Sequence, residues 1–265
     1  MATSEQNQEQ GSALLSVQGL TKSYGGLKAV KSVTLEIRAG EVVALVGDNG
    51  AGKSSFIKML SGVSMPDDGT MQMQGCEIRL TSPADARTHG IETLHQHLGL
   101  VEVFNVQENI FLGRELQTKR FGLFPVLDRA QMRERTAQLL KRIDLQLPDV
   151  ESPVRAMSGG QRQSIAIARL LLNDVKLLIM DEPMAALGVD EGRKVLELID
   201  SLRKKGLSVL IISHNLEHVF TVADRIAVMK NGNLVDVVDT AAVDHDQVVS
   251  MIVSGRPVNP PRLNA

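Results

Sequence analysis

Tryptophan is absent from this 265-residue chain, tyrosine occurs once and phenylalanine six times. With aromatics at 3% there are too few rings for the stacking platforms that single-stranded nucleic-acid binders use. Cysteine is as scarce. Cys76 stands alone, which excludes an internal disulfide and a cysteine-rich zinc site and suits a reducing compartment; as a lone thiol it reads as a small buried hydrophobe. Charge of one sign is not in excess either. The 29 Lys+Arg oppose 31 Asp+Glu for a net −2, leaving no basic footprint for nucleic acid and no acidic tail. Long hydrophobic runs are missing too. The longest, such as Leu177-Leu178-Ile179-Met180 and Val209-Leu210-Ile211-Ile212, fall far short of the ~20 residues that span a bilayer. Met1 to Ser12 is polar and Gln/Glu-rich, without the basic and apolar regions of a signal peptide, so a cytoplasmic protein is expected.

What is present is a globular composition, 43% apolar and 23% charged, which excludes disorder, collagen and a disulfide scaffold. Val42-Val43-Ala44-Leu45-Val46, 175–180 and 207–212 are largely apolar throughout, as expected of parallel strands covered on both faces. Val33-Thr34-Leu35-Glu36-Ile37 alternates instead, as a half-buried strand does, and Asn231-Gly232 between two apolar runs signals a hairpin. Val195, Leu198, Ile199 and Leu202 follow helical spacing ahead of a C-terminal Gly206, Asp128 can cap a helix through Leu139, Leu140 and Ile143, and Ser82-Pro83 starts another. Residues 1–13 read as a disordered arm and 254–265, with three prolines, as a flexible tail. The remainder reads as an antiparallel β section, an α/β core and a mostly helical insert at about 97–157.

Gly47-Asp48-Asn49-Gly50-Ala51-Gly52-Lys53-Ser54 fits G-x-x-x-x-G-K-[ST] between an apolar strand and a helix-competent segment that begins with Ser54-Ser55. Such a loop turns backbone N–H groups toward a phosphate, with Lys53 reaching the β/γ-phosphates and Ser54 a Mg²⁺ ion. Downstream, Leu177 to Met180 runs into Asp181-Glu182. A carboxylate at a strand end beside a P-loop suits Mg²⁺ support by Asp181, and alternation turns Glu182 elsewhere, free to polarise a water.

Met157-Ser158-Gly159-Gly160-Gln161 resembles the signature motif of the ABC-transporter ATPases, and the resemblance extends from Val17 to about Val253, within an expected ATPase domain at 14–253. It implies an α/β P-loop NTPase with a RecA-like core, an antiparallel β subdomain and an α-helical signature-motif subdomain. It also implies that Ser158, Gly159, Gly160 and Gln161 complete the nucleotide pocket of a second copy, held as anion donors at a helix N-terminus. In the family's order Gln96 looks like the Q-loop residue that senses Mg²⁺, His214 like the switch histidine on the γ-phosphate, and Tyr24 like the aromatic that stacks on adenine. Each read alone also fits an exposed glutamine, a strand-end histidine or a packed tyrosine. His95 and His97 could share a strand face, but no third metal ligand is evident.

Glu182-Pro183-Met184-Ala185-Ala186-Leu187-Gly188 is similar to monosaccharide importers of the ribose, xylose and fructose type, as are Ser213-His214-Asn215 and Asn109-Ile110-Phe111-Leu112-Gly113-Arg114. Gly188 replaces the aspartate common elsewhere in the family. Met184 and Met157 replace a common threonine and leucine. One set of motifs matches the single-cassette, fructose-type members, which must dimerise. The resemblance implies Mg²⁺-dependent ATP hydrolysis, with Glu182 and His214 catalytic, at the cytoplasmic face of a membrane. The implied partners are a permease and, through it, a periplasmic sugar-binding protein, and no nucleic acid. An importer of branched-chain amino acids is the alternative within the family. A soluble ABC ATPase of repair or translation would bring coiled-coil inserts, zinc modules or basic linkers, none of which is seen, and a non-hydrolysing regulator would not need Lys53, Asp181 and Glu182 together.

Overall fold

The computed structural model describes residues 13–120, 124–147, 149–185 and 187–258. Residues 1–12 of the expected arm, 259–265 of the expected tail, and Ala186 lie outside the described residues. Ala13 already pairs with Arg38, and the first residue assigned to the tail, Ser254, ends a helix. The chain separates into two compact units, one formed by 1–93, 175–182 and 203–265, the other by 94–174 and 183–202.

In the first unit, β1 (Ala13–Tyr24), β2 (Leu27–Arg38), β4 (Asp68–Met73) and β5 (Cys76–Ile78) form an antiparallel sheet in the order β2-β1-β4-β5. The alternation read in the sequence decides its faces: Val33, Leu35 and Ile37 are buried while Thr34 and Glu36 are exposed. Cys76 is exposed, contrary to its reading as a buried hydrophobe; it opens a short strand after the turn at Gln74-Gly75 and points off the core.

The second sheet of this unit has the order β12-β11-β3-β10-β9-β6. Its centre is β3 (Val42–Val46), flanked in parallel by β10 (Ser208–Ile212) and β11 (Arg225–Lys230), with β9 (Leu177–Asp181) parallel to β10. β12 (Asn233–Asp239) returns antiparallel to β11 through Asn231-Gly232, and β6 (Ile91–Leu94) borders β9. Every residue of β3 and β10 is buried, which is why these strands show no alternation. α1 (Lys53–Leu60) follows β3, and one apolar cluster joins Phe56, Met59 and Leu60 to residues of both sheets. Full burial of a side chain such as Phe56 contributes about 1.5–3 kcal/mol. α2 (Pro83–Thr88) is capped by Ser82, which accepts from the Asp85 amide. α7 (Leu216–Val222) and α8 (His245–Ser254) complete the unit, the latter tied down by Lys230, whose Nζ donates to the Ile252 carbonyl at 2.6 Å.

The second unit holds α3 (Val106–Ile110), α4 (Arg129–Arg142), α5 (Gly159–Leu170) and α6 (Val189–Lys204) up to Leu202. The segment 97–157 is less helical than its sequence suggests. Besides α3 and α4 it carries a hairpin of β7 (Gln117–Arg120) and β8 (Phe124–Leu127), whose polar first strand has no apolar alternation to reveal it. Asn109, fully buried, explains the Asn109-to-Arg114 motif. Its side-chain amide donates to the carbonyls of Val101, Phe104 and Asn105, and its Oδ1 accepts from the Val101 amide at 2.7 Å. A buried amide so fully satisfied fixes the loop before α3. Arg169 of α5 likewise holds the segment after β6, donating to the Gly99 carbonyl at 2.7 Å and to Leu98 at 3.2 Å. Among the described residues no helix is long and apolar enough to cross a membrane.

Candidate nucleotide-binding site

In the first unit the loop 47–52 leaves the end of β3 and opens directly into α1, so free helix N–H groups face the concave side of the turn. Lys53 folds back inside it, its Nζ donating to the carbonyls of Gly47 at 2.6 Å and Asp48 at 2.9 Å. Burial pushes its ammonium below the usual lysine value, while the charges of Glu182, Asp48 and Asp181 pull it back up. A half-buried cation lined by the loop's own carbonyls, with three carboxylates acting on it, is suited to a polyanion brought with a counter-cation.

The loop admits no side chain at two places. At Gly47 (φ +147°) a Cβ would lie 2.2 Å from the Met229 carbonyl, and at Gly52 (φ +104°) 2.4 Å from that of Ala29. The hairpin turn read as Asn231-Gly232 thus has a second task, because it buttresses the loop: the Gly232 amide donates to the Ala51 carbonyl at 2.9 Å. Gly47→Ala is expected to destabilise the chain by about 3 kcal/mol or more. Gly50→Ala, with φ +81° but open space around its Cβ, should cost only about 1–2 kcal/mol. Urea unfolding of the two variants checks the difference, and equal losses would mean that the loop yields at Met229.

Asp181 ends β9, paired with Ile212 of β10, and Glu182 follows with its amide on the Ile212 carbonyl at 2.9 Å. Glu182 adopts φ +51°, a left-handed backbone that a non-glycine residue keeps only under constraint. The turn separates the two carboxylates. Oε1 of Glu182 lies 2.9 Å from Nδ1 of His214, just past β10. The His214 side chain is 76% exposed, so the imidazole reaches the acid from the solvent side. Tyr24 at the end of β1 is 45% exposed rather than packed. Its hydroxyl lies 3.4 Å from Ser64 Oγ, and the Lys22 ammonium stands 5.7 Å from the ring centroid. Asp48, Asn49, Gly50 and Ser54 are exposed, Ser55 is half-buried and Ala51 is buried.

The first unit therefore brings together the loop 47–55, Asp181, Glu182 and His214, with Tyr24 on the same unit. Gln96 and 158–161 belong to the second unit. Gln96 is exposed two residues beyond β6. His95 and His97 lie past the end of that strand, so they share no strand face. Ser158 caps α5 in a reciprocal box with Gln161: the Gln161 amide donates to Ser158 Oγ at 3.3 Å and the Ser158 amide to Gln161 Oε1 at 2.9 Å. The amides of Gly159 and Gly160 follow at the same helix start. A feature the sequence reading did not single out is Glu191, which sits against both glycines; its signal, an acid three residues into α6, is shared by most helices. At Gly188 a Cβ would meet nothing within 4 Å, so the fold does not itself demand glycine there.

A strand–loop–helix phosphate cradle with carboxylates at the end of a parallel strand of the same sheet, one strand removed, defines a P-loop nucleotide-binding protein. The sequence pattern of the ABC transporter family matches residues 30–185, more than half the chain, and the chain belongs to that family. It is 46% identical over 224 residues to the xylose/arabinose import ATP-binding protein of Sulfolobus acidocaldarius, covering 84% of this chain and 87% of that one. It is 41% identical over 254 residues to the fructose import ATP-binding protein of Rhizobium meliloti, covering 94% and 96%. A ribose import ATP-binding protein of Rubrobacter xylanophilus is 39% identical over 243 residues, and there the chain spans only 46% of the relative's length. The fold is that of a nucleotide-free ATP-binding cassette from an ABC transporter, with TM-score 0.77 and 24% identity over 92% of this chain and 96% of that one.

Proposed function

We propose that this chain binds and hydrolyses ATP to energise import of a monosaccharide of the xylose, fructose and ribose class, two copies working head to tail on a membrane permease. The observation that carries this is the convergence of Lys53, Asp181, Glu182 and His214 on one phosphate loop, in a chain whose single-cassette relatives are xylose/arabinose and fructose import ATP-binding proteins. Lys53 and the loop amides hold the β- and γ-phosphates, and Tyr24 presents an exposed ring to the adenine. Glu182, tethered by His214, takes a proton from the attacking water. Ser158, Gly159, Gly160 and Gln161 of the other copy close the pocket. Ser54 and Asp181 of the first unit offer hard oxygen atoms suited to Mg²⁺, which when bound would neutralise charge on the phosphate oxygens, and the family resemblance adds Gln96 as a further ligand. The permease, with a periplasmic sugar-binding protein beyond it, places the chain at the cytoplasmic face of the membrane.

The test is ATP hydrolysis by the purified chain against its own concentration. A site shared between copies gives a specific activity that rises with concentration until dimers dominate. Constant specific activity down to nanomolar protein would remove the shared site.

A further inference from the structure

The anion donors at the start of α5 already have a carboxylate beside them. Ser158 Oγ accepts from the Gln161 amide, which leaves its own proton free. The Glu191 carboxylate lies against this helix start, and the nearby Ser158 hydroxyl, with the amides of Gly160, Gly188 and Gly159, holds it below the usual glutamate range. The approach is close: a Cβ built on Gly159 would lie 3.0 Å from Glu191 Oε2, and one on Gly160 3.1 Å from Glu191 Cβ. Glycine at these two positions lets Glu191, with Leu187 beside it, pack directly on the start of α5 before any nucleotide arrives. All of these residues lie within the second unit.

We propose that Glu191 is a built-in substitute for the phosphate of a second copy's nucleotide, so that pairing of two nucleotide-loaded chains requires its carboxylate to leave the Ser158-Gly159-Gly160 donors. This rests on the two-copy reading above. A carboxylate and a phosphate oxygen seek the same donors, a hydroxyl and helix N-terminal amides, and they cannot share them because both are negative. The displaced side chain has a place to go. A cleft of about 340 Å³ beside Ser158 and Gly160 is lined also by Lys194, one turn further along α6 from Glu191. An ion pair at i,i+3 there offsets part of what is lost at the donors. Glu191 thereby sets a threshold on pairing that nucleotide must exceed, and it shields the signature site from stray oxyanions in the unpaired chain.

Two measurements test this separately from the two-copy reading. The first uses nucleotide-free protein and inorganic phosphate, followed by the NMR amide signals of Gly159 and Gly160. Glu191→Gln, which keeps the size and removes the charge, should bind phosphate at these amides roughly tenfold more tightly than the natural chain. Equal titrations overturn the proposal whether or not the chain dimerises. The second measures ATP-dependent dimerisation by sedimentation in a Glu182→Gln background. Adding Glu191→Gln should lower the dimer dissociation constant about tenfold. Glu191→Asp, which keeps the first-turn charge of α6 but withdraws it by one methylene, should fall between. Dimers that are unchanged or weaker overturn the proposal. If the Glu182→Gln parent forms no ATP-dependent dimer while the phosphate titrations differ, the two-copy reading fails and the contact itself stands.

Discussion

Glu182→Gln is expected to lower ATP turnover by roughly 10²–10⁴-fold, the range for loss of a positioned general base, with nucleotide affinity retained. The substitution isolates basicity from geometry. Glutamine has the same length and shape, so it fits the constrained φ +51° backbone as glutamate does, with the amide still on the Ile212 carbonyl. Its Oε1 can still accept from His214 Nδ1–H, so the 2.9 Å tether survives. What is lost is the lone pair that takes the proton of water. Because hydrolysis no longer reopens the pair, the variant should also accumulate as an ATP-bound dimer. Phosphate release and sedimentation with ATP check both halves, and a thermal scan should show little change in stability. Hydrolysis near the natural rate would assign the base elsewhere.

Why Glu182 was legible as a candidate, and its surroundings were not, follows from the range of the interactions involved. The central strands could be read because burial on both faces leaves a local record, as in Val42 to Val46 and Ser208 to Ile212. The phosphate loop could be read because its spacing is local, and helix starts at Ser82 and Asp128 because a cap bonds within three residues. The left-handed turn at Glu182 leaves no such record, since it is imposed by Ile212 thirty residues away in the neighbouring strand. Gly47 looks like one more loop glycine until the Met229 carbonyl is seen 2.2 Å from its missing Cβ. The β7–β8 hairpin escaped because a four-residue charged strand carries no period. Glu191 escaped because nothing in an acidic first turn says which neighbouring helix it serves.

Mixing two inactive variants should restore activity, and this is the sharpest test of a site shared between copies. Lys53→Ala removes the ammonium that sits inside the phosphate loop. Ser158→Arg removes the hydroxyl that caps α5 and places a guanidinium among the anion donors, where Glu191 would hold it. Loss of the cap should cost about 1 kcal/mol, too little to unfold a domain with a core of this size, so the lesion is chemical rather than structural. Alone, each variant fails at both of its sites, the first for want of Lys53 and the second for want of Ser158. A mixed pair instead has one doubly damaged site and one intact site, made by Lys53 of the Ser158→Arg copy and Ser158 of the Lys53→Ala copy. Random exchange makes about half of the pairs mixed, so independent sites should return about a quarter of the natural activity. Less than this, with exchange demonstrated, would mean that an intact site is slowed by a dead neighbour. No recovery at all from exchanged copies, with each variant folded, would rule out sites that work independently across the interface.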